Sequence, residues 1–336
     1  MTVSVMVVGH ALVYRRPQVE RFPFIEPFEQ DLLDVGDGQR IYWETSGNLD
    51  GKPAVVLHGG PGSGSSPERR RLFDPEAYLI VQFDQRGTGR STPYAGDPTT
   101  DLSANTTHHL IADMERLREH LGVQRWLVWG GSWGVTLGLV YAQRYPKRVS
   151  QLVLASVTMT RPAEVHWLYH EVGRYLPAQW ERFRSGVPED ERDGDLVAAY
   201  DRLLNESSDL AVRERAARAW CSWEDELLSN EAGWQPNPRY DDPAFRMAFA
   251  RIVTHYFHHH AWLADGQILR AAGRLAGIPG VLIHGRFDLG SPADTAWLLA
   301  RAWPDAELHL VGTGHAGGEE MTTRILEATN QFARQR

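Results

Sequence analysis

Gly130-Gly131-Ser132-Trp133-Gly134 stands between an apolar run, Trp126-Leu127-Val128-Trp129, and a helically patterned segment, Val135-Thr136-Leu137-Gly138-Leu139-Val140-Tyr141-Ala142. A G-x-S-x-G sequence in that position predicts a strand that turns sharply into a helix with the serine at the apex. The reason is steric: the turn strains the serine backbone, and the residues two places to either side must lack bulky side chains for strand and helix to approach. The hydroxyl is thereby held clear of the sheet, beside the first N–H groups of the helix. A group so placed can attack a carbonyl carbon while those N–H groups face the carbonyl oxygen.

Further short apolar runs on either side read as strands: Arg40–Thr45, Ala54–Leu57, Tyr78–Phe83, Gln151–Ala155, Gly280–Ile283 and Glu307–Val311. Most are continuous rather than alternating, as in central strands covered on both faces. Amphipathic stretches at Thr106–Leu121, Trp133–Tyr145, Ser291–Ala302 and Thr322–Arg334 predict helices between them. The alternation predicts an α/β chain with a mostly parallel, doubly wound sheet. It stops between residues 159 and 274, where the pattern is helical and Trp167, Trp180, Trp220, Trp223, Trp234 and Trp262 fall. Chain leaving and rejoining such a sheet beside the elbow does so at the edge where ligands bind, so this stretch is expected to form a lid over Ser132. The expected division is core over 1–158, with an N-terminal extension at 1–21, a helical cap over 159–274, and core again over 275–336.

The 336 residues fit one large domain carrying an insertion, and 42% hydrophobic with 23% charged residues is ordinary for a soluble globular protein. A net charge of −8 with no Lys/Arg run argues against a nucleic-acid partner. The single cysteine, Cys221, excludes an internal disulfide and a cysteine-based metal site. No stretch approaches the roughly 18 apolar residues of a membrane span, and Met1–Gly9 lacks a basic leader, so no membrane partner and a cytoplasmic location are expected. The sequence leaves open whether the chain is a monomer or a small homo-oligomer.

A serine hydroxyl needs a base, and the base an orienting acid. Two strand ends downstream supply them: Leu282-Ile283-His284-Gly285-Arg286-Phe287-Asp288 and Leu310-Val311-Gly312-Thr313-Gly314-His315. The expected roles are attack by Ser132, proton transfer by His315, and orientation of the imidazole by Asp288. Protonation of His315 is expected near its ordinary value of about 6.5 if its surroundings add little. For the oxyanion, His58-Gly59-Gly60-Pro61-Gly62 after a predicted strand offers the Gly60 N–H, with Gly59 beside it, to join that of Trp133. His255, His258, His259 and His260 lack the glutamate of an H-E-x-x-H metal helix, so neither metal nor other cofactor is expected. Among the tryptophans, Trp133, Trp167 and Trp223 are candidates for an apolar substrate pocket.

These residues resemble the proline iminopeptidase family of serine hydrolases, from about Phe22 to the end of the chain. The likeness is carried by Leu33-Asp34-Val35-Gly36-Asp37-Gly38, Tyr42-Trp43-Glu44, the His58–Gly62 run, and Asp84-Gln85-Arg86-Gly87-Thr88-Gly89-Arg90-Ser91. Asn105-Thr106-Thr107, the elbow, Gly285–Asp288, Gly314-His315, Leu176-Pro177-Ala178-Gln179-Trp180 and Trp220-Cys221-Ser222-Trp223-Glu224 add to it. The resemblance implies an α/β-hydrolase fold with an inserted helical cap. It also implies an aminopeptidase that releases an N-terminal residue, usually proline, from a small peptide or aminoacyl amide without metal or cofactor. Glu224 is then the carboxylate that receives the substrate ammonium, with Trp223, Trp167, Phe257, Gly290 and Ser291 as further substrate contacts.

The chain departs from the family at two places. Similar proteins carry a second glutamate in A-R-I-E-N-H-Y-F, where this chain reads Ala250-Arg251-Ile252-Val253-Thr254-His255-Tyr256-Phe257. Losing one of two anchors weakens amine recognition by roughly 10–150-fold on the scale of charged hydrogen bonds, unless a neighbour such as Asp225 compensates. Family members also often place a cysteine three residues after the aspartate, where Leu289-Gly290-Ser291-Pro292 stands here. The competing readings are removal of an aminoacyl group from a larger apolar secondary metabolite, a carboxylesterase or thioesterase using the same three residues, and a ligand-binding protein without catalysis.

Overall fold

The computed structural model describes residues 5–8, 11–14, 20–231 and 233–335. The first strands, β1 (Val5–Val8) and β2 (Ala11–Tyr14), pair with each other antiparallel. The rest of the expected N-terminal extension up to residue 19 lies outside the described residues. The main sheet contains β3 (Glu29–Gly36), β4 (Gln39–Gly47), β5 (Lys52–Leu57), β6 (Tyr78–Phe83), β7 (Trp126–Gly131), β8 (Val149–Ala155), β9 (Gly280–Gly285) and β10 (Ala306–Val311). Its order is β10-β9-β8-β7-β5-β6-β4-β3. Strands β5 to β10 run parallel, while β4 joins β6 and β3 joins β4 antiparallel.

Strand β3 is an addition to the sequence reading. Glu29-Gln30-Asp31 opens an exposed edge strand with little apolar alternation, so periodicity does not reveal it. By contrast β6, β8 and β9 are buried at every residue and read as continuous apolar runs. Alternate side chains divide two layers. Ala54, Val56, Leu127 and Trp129 pack with Met321 and Ile325 on one face. Val55, Leu57, Trp126 and Val128 pack with Val135, Leu137 and Leu110 on the other. The helices concerned are α1 (Thr107–His120), α2 (Trp133–Arg144) and, near the C-terminus, α10 (Gly318–Ala333). The neighbours of β7 are β5 and β8, so the chain order reverses at this strand, and the crevice beyond the strand ends is where such sheets bind ligands.

Between β8 and β9 the described residues form helices and turns only: α3 (Pro162–Tyr169), α4 (Pro177–Arg184), α5 (Leu196–Asp201), α6 (Leu210–Glu226), α7 (Pro243–His258) and the short α8 (Gln267–Arg270). Helix α9 (Ala293–Ala302) then lies between β9 and β10. The insertion has its own aromatic centre, with Phe183 stacked on Tyr200 at 4.7 Å and on Trp223 at 5.4 Å, and Trp220 against Tyr169 at 4.6 Å. That centre is continuous with the core under α1 and α2 rather than separate from it. Polar ties add to the contact: Arg251 of α7 donates to the carbonyls of Ala95, Asp97 and Thr100, and the Tyr256 hydroxyl donates to Asn105 Oδ1 at 2.8 Å.

Candidate active site

The elbow is built as its sequence requires. Ser132 has φ 56° and ψ −124°, a left-handed backbone that few residues other than glycine adopt, and its N–H donates to Ala155 at 3.0 Å. Holding such a residue costs on the order of 1–3 kcal/mol, borne by the surrounding sheet. A Cβ at Gly130 would stand 2.4 Å from the Gly134 carbonyl oxygen, and one at Gly134 2.5 Å from that of Leu57. Helix α2 begins at Trp133 with no side-chain cap on its first turn, which leaves N–H donors free at the serine.

Three strand ends bring the expected chemistry together. His315 Nε2 lies 3.1 Å from Ser132 Oγ, and His315 Nδ1 lies 2.8 Å from Asp288 Oδ2. With Asp288 ionised, Nδ1 carries the proton and Nε2 is free to accept the serine hydrogen. Asp288 is fully enclosed, and its Oδ1 accepts the Ser291 N–H at 2.8 Å. A residue not singled out from sequence, His284, braces this loop. Its Nδ1 accepts the Val157 N–H at 2.9 Å, so its Nε2–H donates to the Ser291 carbonyl, also at 2.9 Å.

The titration of His315 differs from the expectation of an ordinary imidazole. Burial pulls its pKa down, but the charge and hydrogen bond of Asp288 and the carboxylates of Glu231 and Glu224 outweigh burial and raise it to about 9. Glu224 moves up as well, to about 6, because burial penalises its charge more than the Tyr169 hydroxyl and His315 favour it. The Tyr169 hydroxyl donates to Glu224 Oε1 at 2.7 Å.

The loop after β5 closes over the serine. A Cβ at Gly59 would stand 3.5 Å from Ser132 Cβ, and Gly60 holds a φ of +112° that only glycine adopts readily. His58 fixes the loop: its Nε2 accepts the Gln85 N–H at 3.0 Å, and its Nδ1–H donates to the Gly59 carbonyl at 2.9 Å. Gln85 Oε1 in turn accepts Trp133 Nε1–H at 2.9 Å, tying the loop to the elbow.

A cavity of about 640 Å³ spans these parts, with Gly59, Gly60, Ser132, Trp133, His315, Gly290, Ser291, Glu224 and Phe257 on its wall. Phe249, Tyr240 and Arg239 also line it. Sequence reading missed these three because an aromatic or basic residue in a helical stretch does not announce which face it serves. Two expected contacts need correction. Trp223 is 1% exposed inside the insertion, with its Nε1–H on the Leu168 carbonyl, and Trp167 donates to the Leu289 carbonyl at 2.8 Å; neither stands on the cavity wall. Large aromatic side chains in this segment mostly fill its own centre.

Val253 sits on α7 four residues from each of the wall residues Phe249 and Phe257, and is 1% exposed, packed behind that wall rather than on it. Asp225 does not reach this region, since its Oδ1 accepts the Asn237 N–H and it lies off the cavity. Another acid, Glu231, reaches the His315 loop, with both carboxylate oxygens 3.1 Å from the Ala316 N–H. The histidine-rich segment is used in packing: His255 Nε2 lies 3.1 Å from the Asn105 carbonyl, and His259 stacks on Trp262 at 5.0 Å.

A family model for the alpha/beta hydrolase fold matches residues 52–320. The chain is 53% identical to the probable proline iminopeptidase of Streptomyces coelicolor over 93% of this chain and 98% of that one. It is 43% identical to the proline iminopeptidase of Arabidopsis thaliana over 91% of this chain and 80% of that one. Among solved structures, VinJ superimposes with a TM-score of 0.62 at 22% identity, covering 92% of this chain and 99% of VinJ. The proline iminopeptidase of Mycobacterium smegmatis follows at 0.58 and 20%, covering 91% and 98%; at these identities the likeness is one of fold. The chain belongs to the α/β-hydrolase family and, within it, to the proline iminopeptidases.

Proposed function

We propose that the protein is a serine aminopeptidase that releases the N-terminal residue, proline by default, from a small peptide or aminoacyl amide. The observation that carries this reading is the hydrogen-bonded series Ser132–His315–Asp288 sharing one cavity with a half-buried carboxylate, Glu224. The insertion, residues 159–274, is the cap, and it supplies the amine end of the site. Glu224 accepts the substrate ammonium through a charge-assisted hydrogen bond, worth about 1.5–3 kcal/mol.

Ser132 Oγ attacks the carbonyl carbon of the first residue as His315 Nε2 takes its proton. Asp288 holds the imidazole and stabilises the imidazolium. The Trp133 N–H and that of Gly59 or Gly60 face the oxyanion. The tetrahedral intermediate collapses, the C–N bond breaks, and His315 returns the proton to the leaving amine. Water activated by His315 then hydrolyses the ester on Ser132, which frees the amino acid and restores the hydroxyl. Apart from substrate and water, the groups in this sequence are side chains and N–H groups of the chain. A cytoplasmic location fits this chemistry, and among the described residues no helix is long and apolar enough to cross a membrane.

One observation favours a second reading within the same chemistry. Val253 stands where the family that the sequence resembles carries an acid, and Leu168, Leu227, Phe249 and Tyr240 form one apolar side of the cavity. That wall suits an aminoacyl amide of a larger apolar molecule. Hydrolysis of a panel of aminoacyl arylamides, their N-acetylated forms and matching aryl esters tests both. Cleavage of free-amine arylamides with rejection of the acetylated forms is expected. Equal rates on acetylated substrates, or activity on the esters alone, would overturn the aminopeptidase reading in favour of an esterase. A strong preference for bulky apolar leaving groups would select the second reading.

A further inference from the structure

Glu231 lies in the cap just after α6, in a turn where its N–H donates to the Leu228 carbonyl and its carbonyl accepts the Trp234 N–H. Its side chain leaves the cap and rests on the core loop Gly314-His315-Ala316. Both carboxylate oxygens share the Ala316 N–H at 3.1 Å, which leaves most of their lone pairs without a donor. The carboxylate is packed directly against Gly314: a Cβ there would stand 2.4 Å from Glu231 Cδ. No lysine or arginine among the described residues forms an ion pair with it. An unpaired carboxylate seated on the backbone to either side of an imidazole acts electrostatically on that imidazole.

We propose that Glu231 is a positioning residue for His315: from the cap it fixes the 314–316 loop and adds its negative charge to that of Asp288 in stabilising the imidazolium formed during acyl transfer. Four titratable groups face His315: Asp288 from the loop after β9, His284 from β9 itself, Glu224 from α6, and Glu231. Asp288 is the direct hydrogen-bond partner, and His284 acts in the opposite sense to the three acids. Glu231 is the acid among them that touches the backbone carrying the base. Because it belongs to the cap, the base reaches its full strength only with the cap seated. The inference rests on the serine-hydrolase reading of the site and is independent of what the amine end recognises.

The test is the pH dependence of Ser132 labelling by a fluorophosphonate, which reads the serine and its base without calling on Glu224 as an ammonium anchor. Glu231→Gln keeps an oxygen for the Ala316 N–H and removes the charge. Its acid limb is expected to move down by roughly half a unit to one unit, reduced from a buried contact because Glu231 is partly exposed. Glu231→Asp, which keeps the charge, is expected to stay closer to the wild type. Gly314→Ala, which drives a methyl into the carboxylate, is expected to shift the limb in the same direction as Glu231→Gln. An unchanged limb in Glu231→Gln would overturn the proposal. So would a rise in KM for free-amine arylamides with the limb unmoved, since that would make Glu231 an ammonium anchor. Failure of the wild type itself to label would remove the serine-hydrolase reading and this inference with it.

Discussion

The core and the cap meet at one cavity but are specified in different ways. In the core, each reactive group stands at the end of a buried parallel strand: Ser132 after β7, Asp288 after β9, His315 after β10. Backbone geometry fixes them, and glycines without room for a Cβ mark the tightest points. In the cap, Glu224 is held by the packing of helices and a single hydroxyl from Tyr169. Backbone geometry therefore places Ser132, Asp288 and His315, whereas side-chain packing alone places Glu224, and a single substitution can alter the second without disturbing the first.

The largest effect is expected in the core. Ser132→Ala removes the nucleophile, and a loss on the order of 10⁶ in kcat is expected, with all phosphonate labelling abolished. The chain is expected to keep its fold, since Ala relieves nothing that the strands depend on; circular dichroism and thermal unfolding check this. Residual labelling at the wild-type rate would place the nucleophile elsewhere.

The same contrast explains what could be read from the sequence. The elbow, Asp288 and His315 were legible because a buried strand of continuous apolar residues ends visibly, and a polar residue at that point has few structural uses. The outer strand β3 was not, because an exposed edge needs no apolar pattern. Trp167 and Trp223 misled because aromatic content tells that a helix is buried, not against what. Glu231 left one faint trace, the glycine at 314 whose missing side chain makes room for it. The raised pKa of His315 was out of reach, since its three acids come from residues 224, 231 and 288 and meet only after folding.

Titration separates the two regions next. The base must be neutral to accept a proton, so kcat/KM falls as pH drops through the His315 pKa. That value is raised to about 9, which puts the limb on the alkaline side of an ordinary imidazole. Glu224 must be charged to hold an ammonium, and its pKa is raised to about 6, so a second, steeper fall is expected below that pH. Only free-amine substrates are expected to show the lower limb; the phosphonate reports the upper one alone. Glu224→Gln is expected to erase the lower limb and lower kcat/KM for prolyl arylamides by roughly 10–150-fold, the scale of one charged hydrogen bond. A lower limb that survives Glu224→Gln would assign the ammonium to another group.

The mildest change asks whether the cap has given up an anchor. Val253→Glu places a carboxylate on α7 between Phe249 and Phe257, two residues that line the cavity. Without substrate the new acid is buried, and burial penalises its charge, so some stability is lost, on the order of 1–3 kcal/mol. With substrate, one ammonium lies between two carboxylates, and kcat/KM for prolyl arylamides is expected to rise by up to about tenfold at alkaline pH. Above the His315 limb, the N-acetylated substrates and the phosphonate rate are expected not to change, because neither calls on an ammonium anchor. A gain equal on free and acetylated substrates would mean that position 253 alters the shape of the cavity rather than its charge. In that case the division of labour between core and cap would not extend to α7.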